Sequence, residues 1–272
     1  MAKRDGKPKG AALVTGASGG IGEELAKLFA ADGHDLVLVS RGRERLERVG
    51  QALEQAHGVA YTVVTADLAD PAAPEHVFQA VRAAGIEVEA LVNNAGFGLS
   101  GPFVETDGEA PTDLGRELEM IRVNVAAPTH LAKLFLPAMV ERGRGRVLNV
   151  ASTAAFQPGP TMAVYYATKA YLLSFSEALS VELRGTGVTV TALCPGPTLT
   201  GFQEVADVGA SRLFHTPFVM SAAEVARVGY RAMRRGKPMV VAGPMNKLLA
   251  QGTRLVPRTM AARLAKMAQA RM

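Results

Sequence analysis

The feature that most constrains this chain is an alternation repeated along almost its whole length. Short apolar runs at residues 11–15, 35–39, 61–65, 90–93, 145–151, 188–194 and 238–242 are separated by longer stretches with helical periodicity. Those stretches cover residues 21–32, 44–57, 74–84, 114–142, 164–184 and 222–235. Most of the short runs are apolar throughout, so both of their faces must be covered. Strands of that kind, joined by helical crossovers, predict an α/β fold: a doubly wound sheet of seven mainly parallel strands with helices on both sides. In such sheets ligands bind beyond the carboxyl ends of the strands, so residues just after each strand carry the functional expectations. The pattern places one domain at residues 8–243, followed by a helical basic extension at 244–272.

Composition narrows the classes. With 272 residues, 48% of them apolar, the chain can bury a large core without staples. Cys194 is its only cysteine, which excludes an intramolecular disulfide and accords with a cytoplasmic protein. The first residues, MAKRDGKPKGAALVTGAS, have a basic lead but too short an apolar patch for a signal peptide. No apolar run approaches the roughly 18 residues of a membrane span. His34, His57, His76, His130 and His215 show no metal-ligand spacing, and no metal is expected. The formal charge of +5 is unevenly spread: residues 1–224 hold 19 basic and 25 acidic residues, whereas 225–272 hold 11 basic residues and no acid. A basic body that coats nucleic acid is thereby excluded, and no nucleic-acid partner is expected.

The first strand runs into Thr15-Gly16-Ala17-Ser18-Gly19-Gly20-Ile21-Gly22 and then a helix. Gly16 permits a tight turn, Gly20 lets backbone approach a pyrophosphate, and Gly22 lets helix pack on strand. The helix N-terminus offers free N–H groups and a positive dipole end to phosphate. A glycine turn alone also serves ordinary α/β proteins; the strand–turn–helix setting favours a dinucleotide. The second strand ends in Ser40-Arg41 rather than an acid, and a guanidinium can fork onto a 2′-phosphate. This favours NADP(H) over NAD(H), although Arg41 also reads as a solvated loop charge like Arg43, Arg45 and Arg48.

The most chemical stretch is Asn149-Val150-Ala151-Ser152, then Tyr165-Tyr166-Ala167-Thr168-Lys169. Tyr165 and Lys169 share one helical face. A neighbouring ammonium stabilises a phenolate, which would let Tyr165 work as general acid or base. Ser152, after an apolar strand, can hydrogen-bond a substrate carbonyl.

Taken together, these pieces resemble the short-chain dehydrogenase/reductase family. The matching residues are TGASGGIG at 15–22, Asp67-Leu68, Asn93-Asn94-Ala95-Gly96, Asn124 within RVNV, Ser152, YxxxK at 165–169 and Pro195-Gly196. The thirteen-residue step from Ser152 also selects Tyr165 over Tyr166. The resemblance implies a Rossmann-type sheet of order 3-2-1-4-5-6-7 and an NADP-dependent carbonyl reductase or alcohol dehydrogenase. It implies that Tyr165 passes the proton, Lys169 lowers the Tyr165 pKa and bonds the nicotinamide ribose, and Ser152 polarises the carbonyl. Asn124 would help hold a water joining Lys169 to solvent. Asp67 and Leu68 would flank adenine; Asn94, Ala95 and Gly96 would line the cofactor trench; Thr198 and Thr200 would meet the carboxamide or phosphates. A homodimer or homotetramer through the long helices is also implied.

Phe97, Leu99, Phe156, Met162, Phe202, Phe214 and Phe218 are apolar candidates for a substrate wall, and 197–220 reads as a lid over a mainly apolar carbonyl or alcohol substrate. In the extension, Met260, Leu264 and Met267 repeat at helical spacing among Arg258, Arg263, Lys266 and Arg271. This stripe fits a partner subunit, an anionic membrane surface or plain core packing. Its narrow face without aromatic anchors favours docking or oligomer contact over peripheral membrane contact.

Overall fold

The computed structural model describes residues 10–106, 108–206 and 218–269. Its main sheet contains β1 (Ala11–Thr15), β2 (Leu36–Ser40), β3 (Tyr61–Thr65), β4 (Val88–Asn93), β5 (Gly145–Val150), β6 (Val188–Cys194) and β9 (Met239–Val241). The order is β3-β2-β1-β4-β5-β6-β9, and every neighbouring pair is parallel. The Rossmann-type arrangement expected from the sequence is therefore present. Between β6 and β9, the short strands β7 (Thr198–Leu199) and β8 (Met220–Ser221) pair in parallel with each other, and the short helix α7 (Phe202–Val205) follows β7.

Two apolar layers hold the helices on. Alternate residues of each strand point to opposite faces. On one face Val14, Leu36, Leu38, Leu148 and Leu193 meet Leu25 and Phe29 of α1 (Gly20–Ala31) and Val225 and Met233 of α8 (Ala222–Arg234). On the other, Leu13, Val37, Leu91 and Val147 meet Val77 and Val81 of α3 (Ala73–Ala83) and Leu131 and Phe135 of α5 (Ala127–Glu141). Leu13 and Leu91 are fully buried, and truncating either to alanine is expected to cost about 2–5 kcal/mol. Helix α2 (Arg43–His57) covers β2 and β3, where Tyr61 lies against Gly50.

The stretch 114–142, expected as one helix, is interrupted. Helix α4 (Leu114–Ile121) gives way to a wide π-type turn, Arg122–Ala126, before α5. Pro128 has no N–H for the carbonyl of residue 124, and its ring would strike that carbonyl in a regular helix. Strand bounds also shift: β2 starts at Leu36 rather than residue 35 and includes Ser40, and β5 stops at Val150. Helix α6 (Ala163–Glu182) carries the YxxxK motif. After β9, Gly243 (φ +88°) turns the chain into α9 (Pro244–Gly252), which is followed by α10 (Arg258–Gln269). Ala250 packs with Leu173, Ala192, Cys194 and Val241, so α9 lies against the sheet rather than apart from it.

Candidate active site

At the carboxyl edge of the sheet lies a cavity of about 680 Å³. The β1–α1 turn forms one end. Gly16 (φ +66°) and Gly20 (φ +57°) occupy the left-handed region that side chains resist. A Cβ on Gly22 would come within 2.3 Å of the Gly16 carbonyl oxygen, so helix and turn touch through backbone. Gly19, at the N-cap just before the helix, supplies no side-chain cap. Its first N–H groups stay available, and Gly16, Ser18, Gly19, Gly20 and Ile21 line the cavity. An open helix start beside bare glycine backbone fits a pyrophosphate.

The neighbouring strand locks this turn. The Thr15 hydroxyl donates to the Val92 carbonyl (3.1 Å) and accepts from the N–H groups of Asn94 (2.9 Å) and Ala95 (3.0 Å). Asn94 Nδ2 donates to the carbonyls of Thr15 (2.8 Å) and Gly16 (3.3 Å). Asn94, Ala95 and Gly96 then continue the cavity wall. Asn93 points the other way and donates to Asn149, which donates to Ser176 (2.8 Å each), a buried polar chain inside the fold.

Ser152, Tyr165 and Lys169 meet on the cavity wall. Lys169 is buried, its Nζ donates to the Val150 carbonyl (2.9 Å), and it lies 5.8 Å from the centre of the Tyr165 ring. Burial lowers the Lys169 pKa from 10.5 to about 8. Burial raises the Tyr165 hydroxyl well above the usual tyrosine value, with a hydrogen bond to Ser152 opposing it. Burial, not the Lys169 ammonium, sets the direction of the Tyr165 shift, and Tyr165 holds its proton at neutral pH. Tyr166 plays a different part: its ring sits where a Cβ on Gly159 would fall, 2.2 Å away.

Asn124 lies behind this group, not on the cavity wall. Its Nδ2 donates to the Phe97 carbonyl (2.9 Å) and Thr168 Oγ1 (3.1 Å), and its Oδ1 accepts from the Phe97 N–H (3.2 Å). The side chain therefore ties the π-type turn to the β4 loop and α6. Gly96 leaves the space, since a Cβ there would lie 2.9 Å from Asn124 Oδ1 and 3.3 Å from Lys169 Nζ.

Not every expected residue reaches the cavity. Pro195, Gly196, Thr198 and Thr200 line it, but Ser40, Arg41, Asp67 and Leu68 do not. Arg41 is solvent-exposed, and Arg45, one helical turn on in α2, is the guanidinium on the wall. Asp67 accepts from the Ala69 N–H (3.1 Å), while Leu68 is buried in the core. Of the apolar candidates, Phe97, Met162, Phe202 and Phe218 line the cavity; Leu99 and Phe156 pack beside it. Phe214 and residues 207–217 of the expected lid lie outside the described residues. Burial pushes the Cys194 thiol up to about 12, so it stays protonated as a packing residue. Among the described residues there is no cluster able to hold a metal.

Sequence reading missed Asn246, Leu249 and Thr253, which close the cavity from α9 and the turn after it. Asn246 is buried, donates to the Ala242 carbonyl (2.9 Å) and stands against Gly196, where a Cβ would lie 2.4 Å away. A signal was present: Gly243-Pro244 marks a helix start at the carboxyl edge of the last strand, where ligand-facing residues belong.

The comparisons agree with this arrangement. The sequence pattern of the short chain dehydrogenase family matches residues 10–208. The very-long-chain 3-oxoacyl-CoA reductase of Anas platyrhynchos is 31% identical over 230 residues, 83% of this chain and 70% of the relative. A short-chain dehydrogenase from Sphingobium yanoikuyae, solved in complex with NADPH, superposes with a TM-score of 0.79 at 32% identity, covering 91% of this chain and 94% of the other. The bulky-bulky ketone specific alcohol dehydrogenase from Comamonas testosteroni gives 0.75 at 28% identity, covering 92% and 93%. This chain belongs to the short-chain dehydrogenase/reductase family of oxidoreductases.

Proposed function

We propose that this protein is an NADP(H)-dependent carbonyl reductase or alcohol dehydrogenase for a bulky, mainly apolar substrate. The observation that carries the reading is the meeting of Ser152, Tyr165 and Lys169 in one cavity with the open start of α1. When bound, the nicotinamide cofactor supplies the hydride. The β1–α1 turn receives its pyrophosphate, and Lys169 holds the ribose. Ser152 donates a hydrogen bond to the substrate carbonyl, and Tyr165, kept protonated by burial, gives its proton to that oxygen as it becomes an alkoxide.

NADP(H) is favoured because Arg45 and Lys169 are the charged side chains on the cavity wall and no carboxylate lines it among the described residues. Arg45 replaces Arg41 as the guanidinium for the 2′-phosphate. An apolar substrate is supported by Phe97, Met162, Phe202, Phe218 and Leu249 on the wall. The names of the relatives, a very-long-chain oxoacyl reductase and a bulky-ketone dehydrogenase, point the same way.

Tyr165→Phe tests the reading against its neighbour. Turnover of bulky ketones, followed by NADPH absorbance, should fall roughly 10²–10⁴-fold while NADPH still binds. Tyr166→Phe should stay within about tenfold of the parent, since its ring rather than its hydroxyl fills the space over Gly159. Equal losses from the two variants would remove Tyr165 from the role of acid.

A further inference from the structure

The segment after β9 presents its larger apolar side chains outward. In α9, Asn246 and Ala250 face the sheet, whereas Met245, Leu248 and Leu249 are exposed. In α10 the buried positions are Ala261 and Ala265, and Met260, Leu264 and Met267 stand out of the fold at 46–60% exposure. The stripe read from the sequence is therefore not the face by which α10 docks on its own chain. Leu255, between the helices, is 87% exposed. Of the sixteen exposed large apolar side chains among the described residues, seven fall within residues 245–267, a concentration that marks a contact surface rather than scattered exposure.

Charge turns the choice away from the second copy that the narrow apolar stripe alone favoured. Lys247, Arg258, Arg263 and Lys266 are exposed along the same segment, and no acidic residue follows Glu224. Two copies meeting face to face on this segment would bring like charges together, which disfavours a symmetric dimer through it. Apolar side chains interleaved with lysine and arginine, in a stretch that contains no acid, match an anionic bilayer surface. No described helix is long and apolar enough to cross a membrane, so contact would be from one side. Leu249 is both exposed and part of the cavity wall, and Thr253 lines it one turn later. The contact surface thus adjoins the cavity mouth.

We infer that residues 245–267 form a docking surface for anionic membranes, set so that the cavity mouth opens beside the bilayer. Only the statement of what enters the cavity rests on the proposed reductase activity; the docking does not. The test is co-sedimentation of the full chain with vesicles of phosphatidylcholine alone or mixed with phosphatidylglycerol. Binding to the mixed vesicles is expected, with weak binding to the neutral ones and release in high salt. The triple variant Arg258→Gln, Arg263→Gln, Lys266→Gln should weaken binding roughly a hundredfold, at about fivefold per charge. Leu255→Asp with Met267→Asp should weaken it at least about tenfold. Both variants should bind NADPH like the parent, which reports that they fold. Absent binding to mixed vesicles, or binding unchanged in both variants, would overturn the inference. So would a loss of oligomer mass in Leu255→Asp with Met267→Asp when the parent ignores vesicles, because a second copy would then occupy the face.

Discussion

The two ends of the cavity are built from different materials. The end at β1 and α1 is backbone: two glycines at positive φ, an uncapped helix start, and a threonine and an asparagine whose bonds go to main-chain groups. The end at Phe97, Met162, Phe202, Phe218 and Leu249 is side chain, supplied by separate segments after β4, β5, β6 and β9. A backbone cradle has few chemical solutions, because a single Cβ blocks it. An apolar wall has many, because any large hydrophobic residue of suitable shape fills it. On the proposed function, the first end holds the cofactor and the second chooses the substrate.

Gly22→Ala probes this contrast most strongly. The new methyl would lie 2.3 Å from the Gly16 carbonyl oxygen and 2.5 Å from Asn94 Nδ2, and neither the turn nor the amide that braces it is free to retreat. The expected cost is about 1–3 kcal/mol in denaturant unfolding. NADPH affinity, read by fluorescence titration, should fall roughly a hundredfold as the turn is displaced. Phe218→Ala at the other end should change ketone preference while leaving NADPH affinity within about threefold. Equal losses of cofactor affinity would erase the distinction between the ends.

Lys169 sits where the ends join, and its titration gives the next largest effect. Its pKa is lowered from 10.5 to about 8 by burial. Above that value the ammonium is lost in the folded protein, so kcat/KM for ketone reduction should fall with a slope approaching tenfold per pH unit. Lys169→Arg, which cannot lose its charge in this range, should abolish that limb at a lower plateau. Stability moves in the opposite sense. Between about 8 and 10.5 the unfolded lysine holds a proton that the folded one has released, so this group makes unfolding harder as pH rises through that window. A flat rate profile through pH 8 would show that the ammonium is not needed in the free enzyme.

A smaller effect separates two arginines. Arg45 is on the cavity wall and Arg41 is not. Arg45→Ala should raise the NADPH dissociation constant roughly tenfold and leave NADH nearly unchanged, as expected for one exposed charge-assisted contact. Arg41→Ala should shift either constant by less than about threefold. The reverse pattern would return the phosphate contact to the end of β2.

The same division explains what the sequence disclosed. Seven strands and the glycine turn were legible because each depends on a local rule: continuous apolar runs for buried strands, and glycine where backbone must come close. Ser152, Tyr165 and Lys169 were legible because they stand at the spacing of the family pattern, and the structure brings them to one cavity wall. Arg45 was not distinguishable from Arg41, since four arginines within 41–48 are chemically equal until α2 is oriented on the sheet. The interruption at Arg122–Ala126 was hidden because Pro128 also suits the first turn of a helix. The inward face of α10 was not legible because small alanines, Ala261 and Ala265, make it, while the periodic Met260 and Leu264 face outward.

Asn246 is where the substrate end borrows the precision of the other. It follows the last strand, and its buried amide holds the Ala242 carbonyl while standing against Gly196 on the opposite loop. The loop carrying Pro195, Gly196 and Thr198 is thereby propped by a side chain, where Asn94 props the glycine turn through two carbonyls. Asn246→Ala removes one neutral hydrogen bond and leaves a small void beside a glycine that can shift to fill it. The expected loss is about 1 kcal/mol in thermal unfolding. The KM for ketone should rise by about threefold, with NADPH affinity at the β1–α1 turn almost unchanged. If cofactor affinity fell as far as with Gly22→Ala, the α9 side would be as constrained as the glycine side, and the freedom assigned to the substrate end would be confined to its phenylalanines and methionine.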